Sequence, residues 1–311
     1  MPFNYKKILG KITPSAEELK AEHAKSEELI NKIKGIEGKH VGVILAGSIS
    51  RNTHLRGDND LDIFVLFDKE LSRKEFEEEG LRIAKQVFKG HEWELAYSEH
   101  PYIRGVIDGF EVEIIPSYKI HSTVELRSAV DRTPFHTKYL QENLTEFHKP
   151  QVRLLKQFLK GIKSYGSDLK TSSFSGYITE LLVLKYGSFV IVLKCASDWE
   201  KGQVIDLENH LTKEDAKKEF NNFHFIIVDP TDRTRNVSAA VSFNQYCRFI
   251  SAARAFLKKP SEKFFFQQKQ KYWKLSQLKK FLQNEEIIAV QMNYDKKIVS
   301  DVFWGLLKRF S

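Results

Sequence analysis

The sequence predicts an α+β protein: a sheet with helices at its edge, then a helical unit, then the start of a third, partly stranded unit. Three observations lead there. Helix-like and strand-like apolar spacings alternate up to about residue 130. From Val152 onward helical spacing dominates, and from about Pro260 the composition shifts towards Phe, Gln and Lys. The predicted units are 1–130, 131–258 and 259–311.

In chain order, "PSAEELKAEHAKSEELINKIKGI" carries Ser15 and Glu18 as a capping box, so an amphipathic helix is expected to lead into a strand at 40–46. The stretch 60–68, "DLDIFVLFD", reads as a second strand, and "SRKEFEEEGLRIAKQVFKG" as a helix stopped near Gly90. In "PYIRGVIDGFEVEIIPSY" two alternating runs flank Asp108-Gly109, the dipeptide that a tight type I′ hairpin turn favours. The clearest later helical segments are "QVRLLKQFLKGIKSYG", "FSGYITELLVLKYGSFVIVLKCASDW" and "RNVSAAVSFNQYCRFISAARAFLKK". A strand is expected at "EEIIAVQMNY" in the third unit, and Phe264 to Phe266 and Trp273 read first as clustered core aromatics, with stacking on RNA as the alternative.

The chain carries 49 Lys and Arg against 41 Asp and Glu, a net charge of +8, which favours a polyanionic partner. Its two cysteines, Cys195 and Cys247, lie far apart in apolar helical contexts and read as reduced core thiols, in keeping with the cytoplasm. No apolar run reaches the roughly 18 residues of a membrane span, and "MPFNYKKILGK" lacks the apolar centre of a signal peptide, so no membrane partner is expected.

Chemistry concentrates in "VGVILAGSISRNTHLRGDNDLDIFVLFD". Period-2 strand geometry puts Asp60 and Asp62 on one face and Leu61 and Ile63 on the other. Like charges at that spacing repel, and hard carboxylate oxygens suit Mg²⁺ between them. The alternative is a solvated edge or a set of salt bridges. "FEVEII" repeats the device with Glu111 and Glu113, and a hairpin strand beside the first would add a third carboxylate. Gly47-Ser48 follows the first strand, where a glycine permits close backbone approach, amides cradle phosphate oxygens, Ser48 adds a hydroxyl and Arg51 a charge-assisted contact.

Gly-Ser, a loop over 49–59, Asp-apolar-Asp on a strand and a further acidic strand together resemble the nucleotidyltransferase superfamily that includes DNA polymerase beta. The blocks "SEHPYIRGVIDGFEVEIIPSY", "SAVDRTPFHTKYL", "VRLLKQFLKGIKSYGSDLK", "FSGYITELLVLKYGSF" and "VDPTDRTRNVSAAVS" are similar, in order, to the archaeal (class I) CCA-adding enzymes. That resemblance implies a nucleotidyltransferase head (a mixed or antiparallel sheet with flanking helices) over 1–130, a helical neck over 131–258, and a partial α+β body from 259. It also implies Mg²⁺-dependent addition of C, C and A to a tRNA 3′ end from CTP and ATP, without a nucleic-acid template and with release of pyrophosphate.

Carried over by motif, Asp60 and Asp62 are the first two ligands of a two-metal site. Glu113 stands where the family usually has aspartate, as the third ligand and activator of the attacking hydroxyl. Glu111 is the substitute, or an ordinary residue of the same face. Gly47, Ser48 and Arg51 match triphosphate-contacting positions. His136, Lys156 and Tyr165 match further nucleotide-binding positions, all able to donate to phosphate or ribose oxygens. Arg235 matches the arginine that reads base edges together with the tRNA backbone; a phosphate contact or a helix-start salt bridge is its bland alternative. His100, in "SEHPY", is either packed or an RNA contact.

Relatives by that resemblance continue beyond the equivalent of "SDVFWGLLKRF" into a tail that contacts the tRNA elbow. The expectation is therefore a truncated chain, a naturally short enzyme, or half of a split enzyme with a separate C-terminal polypeptide; a homodimer is a further option. The other functional readings are a relaxed, poly(A)-adding or CC-only RNA nucleotidyltransferase, and a non-catalytic RNA-binding subunit.

Overall fold

In the computed structural model, residues 3–266 are described except 167 and 169, together with 276, 277, 282, 304, 305 and 307. Helix α1 (Tyr5–Ile12) is followed by α2 (Ala16–Lys34), which starts at the expected box: the Ser15 side chain accepts the Glu18 N–H at 3.2 Å, and the Glu18 carboxylate accepts the Ser15 N–H at 2.5 Å. Next come β1 (His40–Leu45), β2 (Asp60–Asp68), α3 (Arg73–Val87), β3 (Trp93–Tyr97), β4 (Pro101–Ile107) and β5 (Phe110–Lys119). Among the described residues these strands form one sheet in the order β1-β2-β5-β4-β3. All pairings are antiparallel except β2 with β5, which is parallel. The β4–β5 turn has Asp108 at φ 50° and Gly109 at φ 84°, the two positive values a type I′ turn requires.

The expected position of the helices at the sheet edge is corrected. Helices α2 and α3 cover one face: Leu29, Ile33, Phe76, Ile83 and Val87 pack onto Leu61, Ile63, Val65, Ile103, Val112 and Ile114. Alternation along β2 leaves that strand with a full apolar row on one side, and only a layer across the face removes it from water. The opposite face is left open at Asp60 and Asp62 and carries only a small apolar group around Ala46, Phe64 and Ile115.

Beyond β5 the chain forms α4 (Thr133–Asn143), α5 (His148–Gly161), α6 (Gly176–Tyr186) and α7 (Phe189–Ser197). The apolar stretch expected as one helical segment is thus two helices. Gly187 takes φ +82°, and Ser188 then caps α7 by accepting the Ile191 N–H. A second correction follows. Within the stretch read as wholly helical, β6 (Gln203–Ile205), β7 (Phe225–Asp229) and β8 (Asp232–Asn236) make a second sheet, with α8 (Lys213–Glu219) between β6 and β7. Helix α9 (Phe243–Lys258) completes this part.

Its core is aromatic, with Phe158, Phe174, Phe189, Phe225, Phe249, Phe256 and Phe265 buried together. Helix α1 is eight residues long, too short to persist alone, and is held here by burial of Ile8 and Ile12. Burying each such side chain contributes roughly 1.5–3 kcal/mol. Phe264 to Phe266 pack on this core, as read first. Cys195 and Cys247 are free, half-buried thiols, and Cys247 packs against the core from its edge. Trp273 and the strand expected at "EEIIAVQMNY" lie outside the described residues. No helix among the described residues is long and apolar enough to cross a membrane.

Candidate active site

The end of β1 delivers the chain to Gly47 at φ +68°, where a Cβ atom would overlap the Asp62 carboxylate. Only glycine lets the turn lie against β2 so closely. The Ala46 N–H donates to the Asp62 carbonyl at 2.8 Å, and a short 3-10 turn over Ile49–Arg51 then aims Arg51 across the cleft.

Asp60 and Asp62 share the open face of β2, as expected. The parallel register sets Asp60 opposite Glu111 and Asp62 opposite Glu113. Repulsion and lost solvation show in the acidities. Burial, Glu113 and Asp60 together push the Asp62 carboxyl up to about 7. Burial, Glu111 and Asp58 raise Asp60. Burial raises Glu113 against the opposing pull of Arg104, which is its register partner on β4. Two clefts meet at Asp62. One, of about 770 Å³, runs over Asp60, Glu111, Glu113, Arg104 and Trp93. The other, of about 390 Å³, runs over Gly47, Ser48, Arg51, His136, Lys156 and Tyr165. Six of the expected nucleotide-binding residues thus line one wall system, although they are spread over more than a hundred positions in sequence.

The second cleft is built on a carboxylate that sequence reasoning missed. Glu180, with only 1% of its side chain exposed, accepts from Arg51 Nε at 3.1 Å and Nη2 at 2.9 Å, and from the Thr53 hydroxyl at 2.5 Å. Burial opposes its ionisation, but Arg51 and Lys156 hold its carboxyl below the usual range. Lys156 on α5 is fully buried, and desolvation drops its ammonium to about 8 despite Glu180. Gly176 leaves room for Lys156 and the Tyr165 hydroxyl; a Cβ there would press on that hydroxyl at 3.2 Å. One turn before Lys156, Arg153 donates to the carbonyls of His54 at 2.9 Å and Asn52 at 2.8 Å, pinning the loop between Ser48 and Asp60. The available signal for Glu180 was a lone acid in the apolar run "GYITELLVLKY".

His136 Nε2 lies 2.8 Å from Asp229 Oδ2, and its ring stacks on Tyr177 with centroids 4.1 Å apart. Burial lowers the imidazole pKa against the opposing pull of Asp229, and the Asp229 carboxylate beside it requires Nε2 to carry a proton. Arg235 lies in β8 rather than at a helix start, and its Nη1 donates to the same Asp229 oxygen at 2.7 Å. His100 is 2% exposed, with Nε2 2.8 Å from the Pro116 carbonyl and Nδ1 3.3 Å from the Ser128 hydroxyl. It is a packed histidine, and the RNA contact considered for it does not fit its burial.

Among the described residues no three His, Cys, Asp or Glu groups are already drawn together as a ligand cage. The donor set still fits a hard divalent cation. Asp60, Asp62 and Glu113 offer carboxylate oxygens from adjacent strands, and their mutual repulsion is the energy a cation would relieve.

Two family models match the chain: a nucleotidyltransferase domain over residues 26–136, and the second domain of tRNA nucleotidyltransferase over 150–266. The chain is 44% identical over 270 residues to the CCA-adding enzyme of Methanocaldococcus jannaschii, covering 84% of this chain and 60% of that one. It is 37% identical over 318 residues to that of Methanococcus maripaludis strain C7, covering 97% and 69%. The chain therefore spans about 60% of the length of the first of these relatives. Among solved structures, the Cid1 poly(U) polymerase with Mg 3′-dATP bound shares the fold at TM-score 0.66 and 17% identity, covering 85% of this chain and 98% of that one. The polymerase core of TRAMP does so at TM-score 0.60 and 19% identity, covering 81% and 83%.

Proposed function

Because the chain belongs to the family of archaeal CCA-adding enzymes, we propose that it adds C, C and A to the 3′ end of tRNA from CTP and ATP, releasing pyrophosphate. The observation that carries this reading is the meeting of two clefts at Asp62, with a carboxylate row on one side and a cationic nucleotide wall on the other. In-line displacement at phosphorus needs that division, since the nucleophile enters on the side of phosphorus opposite the departing pyrophosphate. The five-stranded sheet within 1–130 serves as catalytic head and 131–258 as neck, with α1 packed into the neck core.

Asp60, Asp62 and Glu113 would hold Mg²⁺ as a two-ion site, which supplies charge neutralisation at the α-phosphate and the leaving pyrophosphate. The chain's own groups do the rest. Gly47 and Ser48 bring backbone amides and a hydroxyl to the triphosphate, while Arg51 and Lys156 bring positive charge. Glu180 orients Arg51 along one edge, Nη1 also donates to the Ser50 hydroxyl at 3.4 Å, and the N–H groups still unused are left to the cleft. The tRNA 3′ hydroxyl enters from the acidic cleft and Glu113 takes its proton. A bond forms from O3′ to the α-phosphorus as the bond to the β-phosphate oxygen breaks. His136 and Tyr165 hydrogen-bond ribose or phosphate oxygens, and Arg235 directs N–H groups at the base edge. The acceptor arm is the RNA element engaged.

The deciding experiment incubates this chain with tRNA lacking its 3′ CCA, labelled CTP or ATP, and Mg²⁺. Stepwise extension by three nucleotides is the expected result. No extension, or extension indifferent to the nucleotide offered, overturns the reading.

A further inference from the structure

Asp229 joins four elements through one carboxylate. It ends β7, a strand whose five residues are all buried, and its own side chain is fully buried. Oδ2 accepts from His136 Nε2 on α4 at 2.8 Å and from Arg235 Nη1 on β8 at 2.7 Å. Oδ1 accepts from the Tyr177 hydroxyl on α6 at 3.3 Å, and from the N–H and hydroxyl of Thr231 at 3.0 and 2.9 Å. The short β7–β8 connection makes this possible, because Thr231 clamps the carboxylate while β8 folds back to present Arg235. These donors hold the carboxyl well below the usual range, so it is an anion although burial opposes this.

We propose that Asp229 is a positioning residue for nucleotide choice, acting through Arg235 and His136; the inference rests on the nucleotidyltransferase reading above. Arg235 discriminates by the direction of its N–H groups, and direction is lost if the guanidinium is free to swing. Bonding Nη1 to a buried anion fixes the plane and leaves the other N–H groups for the ligand. The same oxygen holds His136 Nε2 as a donor, so the orientations of both side chains are set together by one atom. Asp229 itself is sealed beneath them and touches no ligand.

The test uses the full chain as D229N, D229E and R235A, and the double variant D229N/R235A. Incorporation of CTP, ATP, GTP and UTP into tRNA lacking CCA is measured beside thermal unfolding. In D229N the preference for CTP and ATP over GTP and UTP is expected to fall about tenfold, the scale of losing one directional contact. R235A should lose preference similarly, and the two effects should fall well short of multiplying in the double variant, where only the share that Asp229 exerts through His136 remains to be lost. D229E keeps the charge and displaces it by one methylene, so its preference should shift with unfolding close to wild type; this arm holds if D229N fails to fold. An unchanged nucleotide ranking with uniformly lower kcat/KM, or effects of D229N and R235A that multiply, overturns the inference. If wild type extends no tRNA, the functional reading fails separately, and calorimetric CTP affinity decides the inference: coupled losses in D229N and R235A support it, and independent losses overturn it.

Discussion

Glu180 grips the edge of Arg51 through Nε and Nη2, although the two residues are 129 positions apart and neither is near the other in any sequence motif. This pair fixes the guanidinium before any triphosphate arrives. Replacing Glu180 with Gln keeps the shape but exchanges charge-assisted bonds for weaker ones, and the CTP KM is expected to rise about tenfold, some 1.4 kcal/mol. Glu180→Ala strands Arg51 and Lys156 as buried cations and should cost about 3–5 kcal/mol of stability. Steady-state kinetics and denaturant unfolding read the two effects; a wild-type KM in Glu180→Gln would show that Arg51 needs no anchor.

Asp60→Ala and Asp62→Ala each remove one carboxylate, and with it one proposed metal ligand, from the open sheet face. Turnover should fall by about a thousandfold or more, the scale of losing a main electrostatic element of a transition state. Folding should survive, since removing either anion relieves repulsion within the cluster; the metal-free Asp62 variant should unfold no earlier than wild type. Labelled CTP incorporation and circular dichroism report both. Near-normal addition by the two variants would remove the metal-site assignment.

Register separates the two glutamates of β5. Glu113 faces Asp62, where the clefts meet, whereas Glu111 faces Asp60 further out. Glu113→Gln should be inactive, and Glu113→Asp should keep or improve activity. Glu111→Gln should retain most activity. The reverse pattern, with Glu111→Gln inactive and Glu113→Gln unimpaired, would reassign the third ligand.

Lys156 supplies a pH dependence. Its ammonium is lowered to about 8 by burial, so in the free chain the charge is present below that value and is lost as pH rises through it. Affinity for CTP is therefore expected to weaken above about pH 8, well before an ordinary lysine would titrate near 10.4. A bound triphosphate pulls the proton back, so kcat/KM falls at lower pH than kcat. Lys156→Arg keeps its charge and should flatten that limb. A kcat/KM profile unchanged between wild type and Lys156→Arg up to pH 9.5 would clear Lys156 of this role.

Local rules in the sequence determined the two-faced strand at Asp60, the Ser15 box, the Asp108-Gly109 turn and the ordered motif blocks, because caps, turns and period-2 alternation each depend on a few neighbouring residues. Tertiary structure decided what depends on distant partners. The β6–β8 sheet was invisible because its strands are three and five residues long and are held by ladder bonds to one another, with little internal pattern. Arg235 accordingly moved from a helix start into a strand, and the helices moved from the sheet edge to its face. The carboxylates Glu180 and Asp229 carry no local signature of their partners. Each is stable in a buried place only because folding brings cationic or hydrogen-bonding donors to it, and that convergence exists in three dimensions alone.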